Sequence, residues 1–187
     1  MKPVVVAITG ASGAIYAKEL LAVLVRRRVP VHLTMTEAGA RVLNEEMQAR
    51  VDVNRFAPSA LVRGAGTLVT YHHYSDIGAA IASGGHVTSG MVIVPCSMNT
   101  LGAVAAGLGR NLIERAAAVA LKERRPLIVV PRETPLSSIM IENMLRLSNA
   151  GACVLPAMPA FYHHPKNVKD LVEFVVKRIL AHLSLDK

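Results

Sequence analysis

At 187 residues the chain has room for one domain, and a composition that is 52% hydrophobic but only 18% charged excludes a disordered regulatory chain. With no Trp, four Tyr and three Phe, it has too few aromatics for a base-stacking nucleic-acid platform. The 21 Lys and Arg against 13 Asp and Glu, a net +8, are compatible with nucleic acid, a membrane surface or an anionic small molecule, but composition alone favours a generally basic surface.

Residues 4–9 form an apolar run without alternation, the pattern of a strand buried on both faces. After a Gly-rich turn, Ala17, Leu20, Leu21, Leu24 and Arg28 follow helical spacing, and Arg26–Arg27–Arg28 suit the negative end of a helix dipole. Residues 31–35 read as a second strand and 37–47 as a second helix; 48–66 are weakly patterned, and 67–71 read as a third strand. A buried strand at 91–95 precedes a small-residue helix over 101–106. Asn111 caps a helix running to Lys122, residues 127–130 form a strand closed by Pro131, 137–147 are helical, and 152–155 are a further strand. The last segment is amphipathic, with Val168, Leu171, Val172, Val175, Val176, Ile179, Leu180 and Leu183 on one stripe and Asn167 as its cap. Alternating strands and helices at this spacing predict one α/β domain over 1–187, a parallel sheet with helices on both faces.

Cys96 and Cys153 are too few for a disulfide framework and read as free thiols. The N-terminal apolar run is too short for a signal-peptide core, and no stretch approaches the roughly 20 apolar residues that span a bilayer. A cytoplasmic protein with no membrane and no nucleic-acid partner is expected.

In an open parallel sheet, ligands bind outside the carboxyl ends of the strands, and several such ends carry unusual residues. Thr9–Gly10–Ala11–Ser12–Gly13–Ala14 joins the first strand to the first helix, where two glycines allow a tight turn and the helix start favours an anion. It is G-x-x-G rather than the dinucleotide fingerprint G-x-G-x-x-G, and the second strand ends at Thr36, not at an acid. That hydroxyl suits a phosphate or a flavin's polar edge better than a ribose diol. Ser97 and Thr100, after the strand at 91–95, look like hydrogen-bond partners for a ring or phosphate, whereas neighbouring Cys96 reads as a small buried hydrophobe. Arg115 and Lys122 are seven apart on one helix face, and Arg115 is unusual among alanines; Arg124 and Arg125 read as solvated surface charges. Pro131–Arg132–Glu133–Thr134–Pro135 presents an adjacent Arg and Glu at a strand end. Tyr162 follows the last strand, and the His163–His164 pair, lacking a third ligand at a recognisable spacing, is read as solvent-facing.

ITGASGA (8–14), Thr36, Glu46, VPCSM (94–98), NLIERAAAVALKERRPLIVVPRETP (111–135), ENMLRLSNAGA (142–152) and PAMPAFYHHP (156–165) together resemble the UbiX/Pad-type flavin prenyltransferases. The resemblance runs from about residue 4 to residue 182 and is weak between about 48 and 80. It implies a Rossmann-like (flavodoxin-like) three-layer sandwich with a mostly parallel sheet, assembled as a homo-oligomer, usually a dodecamer. It also implies that a dimethylallyl group from dimethylallyl phosphate is attached to N5 and C6 of reduced FMN without a metal. The product, prenylated FMN, would serve a UbiD-type decarboxylase of aromatic or unsaturated acids, as in ubiquinone biosynthesis. On the matching positions, FMN would lie on Gly10, Ala11, Ser12, Thr36, Ser97, Met98, Asn99, Thr100 and Arg132. The donor phosphate would be held by Lys122, Arg132, Tyr162 and Arg178, partly across subunits. Ser12 and Glu133 would lie near the reacting groups, and Arg115 would orient the carboxylates. Glu46 would remove the C6 proton, with adjacent Glu45 as the alternative. Ile77 stands near the place where relatives often carry a Trp, leaving donor choice open between monophosphate and diphosphate. Two other readings compete. The related FMN-dependent cysteine decarboxylases typically carry Asn after a Pro-Ala-Met segment, where this chain has Pro159. A non-catalytic FMN-binding accessory subunit would not need the Glu46, Arg115, Lys122 and Glu133 set.

Overall fold

The computed structural model describes residues 1–185. Val4–Ile8 (β1) is buried along its whole length, as an uninterrupted apolar run in a parallel sheet must be. It leads into Ala14–Arg26 (α1), then Val31–Met35 (β2) and Glu37–Met47 (α2). Val69–His73 (β3) and Gly90–Cys96 (β4) follow, then Met98–Ala105 (α3), Leu112–Lys122 (α4) and Leu127–Pro131 (β5). Ser138–Asn149 (α5), Cys153–Val154 (β6) and Val168–His182 (α6) complete the order.

Among the described residues the six strands form one sheet in the order β3-β2-β1-β4-β5-β6, and every pairing is parallel, where the expectation was mostly parallel. This is the doubly wound Rossmann order, in which the direction of winding reverses between β1 and β4. Alternate residues of β1 enter different cores. Val4, Val6 and Ile8 pack with α1, α2 and α6, while Val5 and Ala7 pack with α3, α4 and α5. Each fully buried Leu, Ile or Val contributes about 1.5–3 kcal/mol, so two continuous layers fix the sheet rigidly beneath its loops.

The departures from the sequence reading have local causes. Arg28 lies outside α1 with φ 56°, because Val29 N–H turns back to Leu24 O and ends the helix. α3 begins at Met98 rather than 101 because Ser97 accepts from Thr100 N–H and caps it there. β3 runs from Val69 rather than 67, after a 3-10 turn at Gly66–Leu68, and β6 shrinks to two residues. Residues 48–66 are mostly loop, yet Val51, Val53, Leu61, Val62 and Ala65 still enter the first core. Among the described residues no helix is long and apolar enough to cross a membrane.

Candidate active site

Register carries the sequence-predicted loops to one edge. Ile8 pairs with Met35, and Cys96 with Pro131. The residues that follow these strand ends therefore stand side by side along the carboxyl edge of the sheet: Thr36, then Gly10–Ser12, then Ser97–Thr100, then Arg132 and Glu133. The middle two flank the point where the strand order reverses, where such sheets open a crevice.

Thr9 ties those two loops together. Its buried hydroxyl donates to Pro95 O at 2.9 Å and accepts from Ser97 N–H at 2.7 Å, and its own N–H donates to Pro95 O at 3.2 Å. Sequence patterning places Thr9 at the end of a strand and the start of the Gly-rich loop, without a role of its own. A hydroxyl at the last position of an apolar run is the one available signal.

Helices α1, α2 and α3 start at this edge. Thr36 accepts from Gly39 N–H and caps α2, and Ser97 caps α3 while bonding Thr100 Oγ1 at 3.1 Å. Helix α1 has no such cap from its own loop: Gly13, at φ 112°, makes a left-handed turn that other residues resist. Glu46, reaching across from α2, takes that place. Gly13 N–H donates to both its carboxylate oxygens at 3.1 Å, and Ala14 N–H donates at 2.9 Å. A carboxylate at a helix N-terminus is favoured by the dipole. Adjacent Glu45 lines a separate groove with Glu37, Arg41 and Asp52, away from the Gly loop.

Arg132 and Glu133 are exposed on the next loop, where Thr134 N–H donates to Glu133 Oε1 at 2.9 Å. Tyr162 is 79% exposed and packs edge-on against Phe174 of α6; Arg178, one helical turn beyond Phe174, is also exposed. Lys122 lies elsewhere. Helix α4 runs back against the strand direction, and Lys122 ends it close to Gly84, just before the amino end of β5. One chain does not bring Lys122 to the Gly loop.

Arg115 is exposed and has no side-chain bond among the described residues. The buried charge on α4 is instead Glu114, 2% exposed, which accepts from Arg110 N–H at 2.7 Å and Arg110 Nη2 at 2.9 Å. Asn111-x-x-Glu114 is a capping-box spacing, and that was the signal for it. Arg125, read as a solvated charge, is half-buried and donates to two carbonyls some forty positions away. Cys96 is fully buried and its thiol is pushed up to about 12 by burial, so Cys96 supplies no thiolate nucleophile here. His163 and His164 are exposed, with His163 stacked on Phe174.

The edge can hold an anionic, partly planar molecule: helix-start amides and hydroxyls suit a phosphate, and Gly10 leaves room that a Cβ would close against Ala38, 2.5 Å away. The family model for flavoproteins matches residues 1–180. The flavin prenyltransferase UbiX of Pseudomonas aeruginosa is 48% identical over 186 residues, covering 97% of this chain and 89% of its own. The chain belongs to the flavin prenyltransferase family. A crystal structure of a second member, AnUbiX (PadA1), in complex with FMN and dimethylallyl pyrophosphate, is 38% identical with a TM-score of 0.87, covering 99% of this chain and 93% of its own. A dodecameric FMN-dependent UbiX-like decarboxylase from Escherichia coli O157:H7 is 39% identical with a TM-score of 0.88, covering 99% and 95%.

Proposed function

We propose that this chain transfers a dimethylallyl group from dimethylallyl phosphate to N5 and C6 of reduced FMN. The observation that carries the reading is the seat of Glu46 on the amides of Gly13 and Ala14, beside Ser12 and in line with Thr36, Ser97 and Arg132. The family likeness adds the reaction type.

FMN is a substrate here, and its electron-rich reduced ring supplies the nucleophile, so the protein's task is to orient, polarise and move a proton. Gly10 to Ser12, Thr36 and Ser97 to Thr100 bind the flavin's phosphate and polar edge through hydroxyls and helix-start N–H groups. Breaking the allylic C–O bond leaves its electron pair, and with it an added negative charge, on the departing phosphate. Arg132, Lys122, Arg178 and the Tyr162 hydroxyl stabilise that charge by charge-assisted hydrogen bonds. Glu46, oriented by two backbone N–H groups, accepts the proton released at C6. Ser12 and Glu133 are assigned a place close to the reacting atoms, and Arg115, which bonds no side chain among the described residues of one copy, is assigned to orient the carboxylates across a subunit boundary. Because Lys122 and Arg132 stand at opposite edges of one sheet, a phosphate site using both is completed by a second copy, in an oligomer like the dodecameric relative. The product then passes to a UbiD-type decarboxylase.

The test is anaerobic incubation with reduced FMN and dimethylallyl phosphate, then mass spectrometry of the extracted flavin. A gain of one C5H8 unit is expected, whereas unmodified FMN after long incubation overturns the reading. Parallel reactions with the diphosphate identify the preferred donor.

A further inference from the structure

The turn at 83–86 contains two adjacent glycines, the least restrained sequence a chain can offer, yet it is held from two sides. Arg125, just past the end of α4, donates from Nη1 to His86 O at 2.7 Å and from Nη2 to Gly84 O. On the other side, His86 Nε2 lies 2.9 Å from His32 Nε2 on β2, and His32 Nδ1 lies 2.9 Å from His72 Nε2 on β3. A planar guanidinium that bridges two carbonyls is a geometric clamp, which a flexible ammonium does not reproduce.

What rests on the clamped turn is the end of α4. A Cβ at Gly84 would overlap the Glu123 carboxylate and come within 3.4 Å of Lys122 Nζ, and Glu123 Oε1 lies 3.6 Å from Lys122 Nζ. The Lys122 side chain is 62% exposed, and its ammonium is flanked on one side by the bare backbone of Gly84 and by the Glu123 carboxylate. Lys122 has four rotatable bonds and no other ion pair among the described residues, so these neighbours are what restrict it.

We propose that Arg125 is a positioning residue for Lys122: by clamping the 83–86 turn it fixes the surface against which the phosphate-binding ammonium is held. This rests on the assignment of Lys122 to the donor phosphate. The flavin loops lie at the opposite edge of the sheet, so the effect falls on the donor and spares FMN.

The experiment measures, for Arg125→Ala, Arg125→Lys, Gly84→Ala, Lys122→Ala and the double variant Lys122→Ala/Arg125→Ala, the KM for dimethylallyl phosphate and the Kd for FMN, with thermal unfolding as a control. Arg125→Ala raises the donor KM about tenfold, the effect of losing hydrogen bonds from a charged group, while the FMN Kd stays within about twofold. Arg125→Lys, keeping the charge but not the bridge, recovers only part of it. Gly84→Ala, which leaves the clamp in place and crowds the Lys122–Glu123 pair, gives the same split and keeps the test open if Arg125→Ala unfolds. The double variant is no worse than Lys122→Ala alone, because both changes remove the same held ammonium. An additive double variant, or FMN affinity falling in step with donor affinity, overturns the inference. A raised KM in Lys122→Ala with a normal one in Arg125→Ala and Gly84→Ala overturns the inference alone. A normal KM in Lys122→Ala overturns the assignment of Lys122 as well.

Discussion

Ser97 donates its backbone N–H to the Thr9 hydroxyl at 2.7 Å, joining residues 88 positions apart. The same hydroxyl donates to Pro95 O, so one side chain satisfies both the β1 and the β4 ends of the crevice. The two loops proposed to bind the flavin are therefore held in one relative position before any ligand arrives, and the cost of ordering them is met during folding.

Thr9→Val keeps the shape and removes the bonds. It is expected to destabilise the protein by about 1–3 kcal/mol, since it leaves the Ser97 N–H and the Pro95 carbonyl without that partner. FMN affinity should fall with it. Urea unfolding and FMN titration of the same variant check both; a Thr9→Val protein with normal stability and FMN affinity would refute the role.

Two substitutions separate the structural role of Glu46 from the chemical role proposed for it. Glu46→Gln retains one carbonyl oxygen for Gly13 and Ala14 but loses the charge that favours the helix dipole, so it should cost about 0.3–1 kcal/mol, yet it cannot take a proton. Its product should carry the dimethylallyl group on N5 without the bond to C6, seen as a mass gain with an absorption spectrum unlike the four-ring flavin. Glu46→Ala also uncaps α1 and should lose about 1 kcal/mol.

Acid should weaken the fold through the histidine chain. Burial, followed by the neighbouring His72 and His86, lowers His32 to about 4, and His72 is lowered mainly by burial too. The unfolded chain then binds more protons than the native one between about 4 and the ordinary value of 6.5. The stabilisation is complete above about 6.5 and is lost as pH falls toward 4. Because His32 is only half-buried, solvent screening reduces the effect to on the order of 1 kcal/mol. The difference in unfolding free energy between wild type and His32→Gln, followed from pH 7.5 to 4.5, should narrow across that window; a constant difference would count against it.

Cys96 should be chemically silent. Its thiol is buried and raised to about 12, so iodoacetamide at about pH 8 should leave it unmodified in the folded protein and label it on denaturation. Cys96→Ala should retain prenyl transfer while losing about 1 kcal/mol of packing. Peptide mapping and the flavin assay decide the point.

The chain order of elements was readable because burial on both faces of a parallel strand leaves a continuous apolar run, and because helix ends carry side-chain signatures. Val4–Ile8, the Asn111 and Asn167 caps and the α6 stripe all follow from local chemistry. The candidate residues Ser12, Thr36, Ser97 and Arg132 were likewise visible, as polar groups placed just past apolar runs. Three things required the tertiary structure. Glu46 meets Gly13 only because α2 packs beside α1, which selects it over Glu45 on the other side of the helix. Arg125 looks like any surface charge until the turn at 83–86 folds under it. Lys122 is separated from the Gly loop because a helix returning against parallel strands must end at their amino edge. Local sequence carries hydrogen-bonding and hydrophobic preferences a few residues at a time, whereas contacts between positions tens of residues apart exist only once the sheet has set its strand order and register.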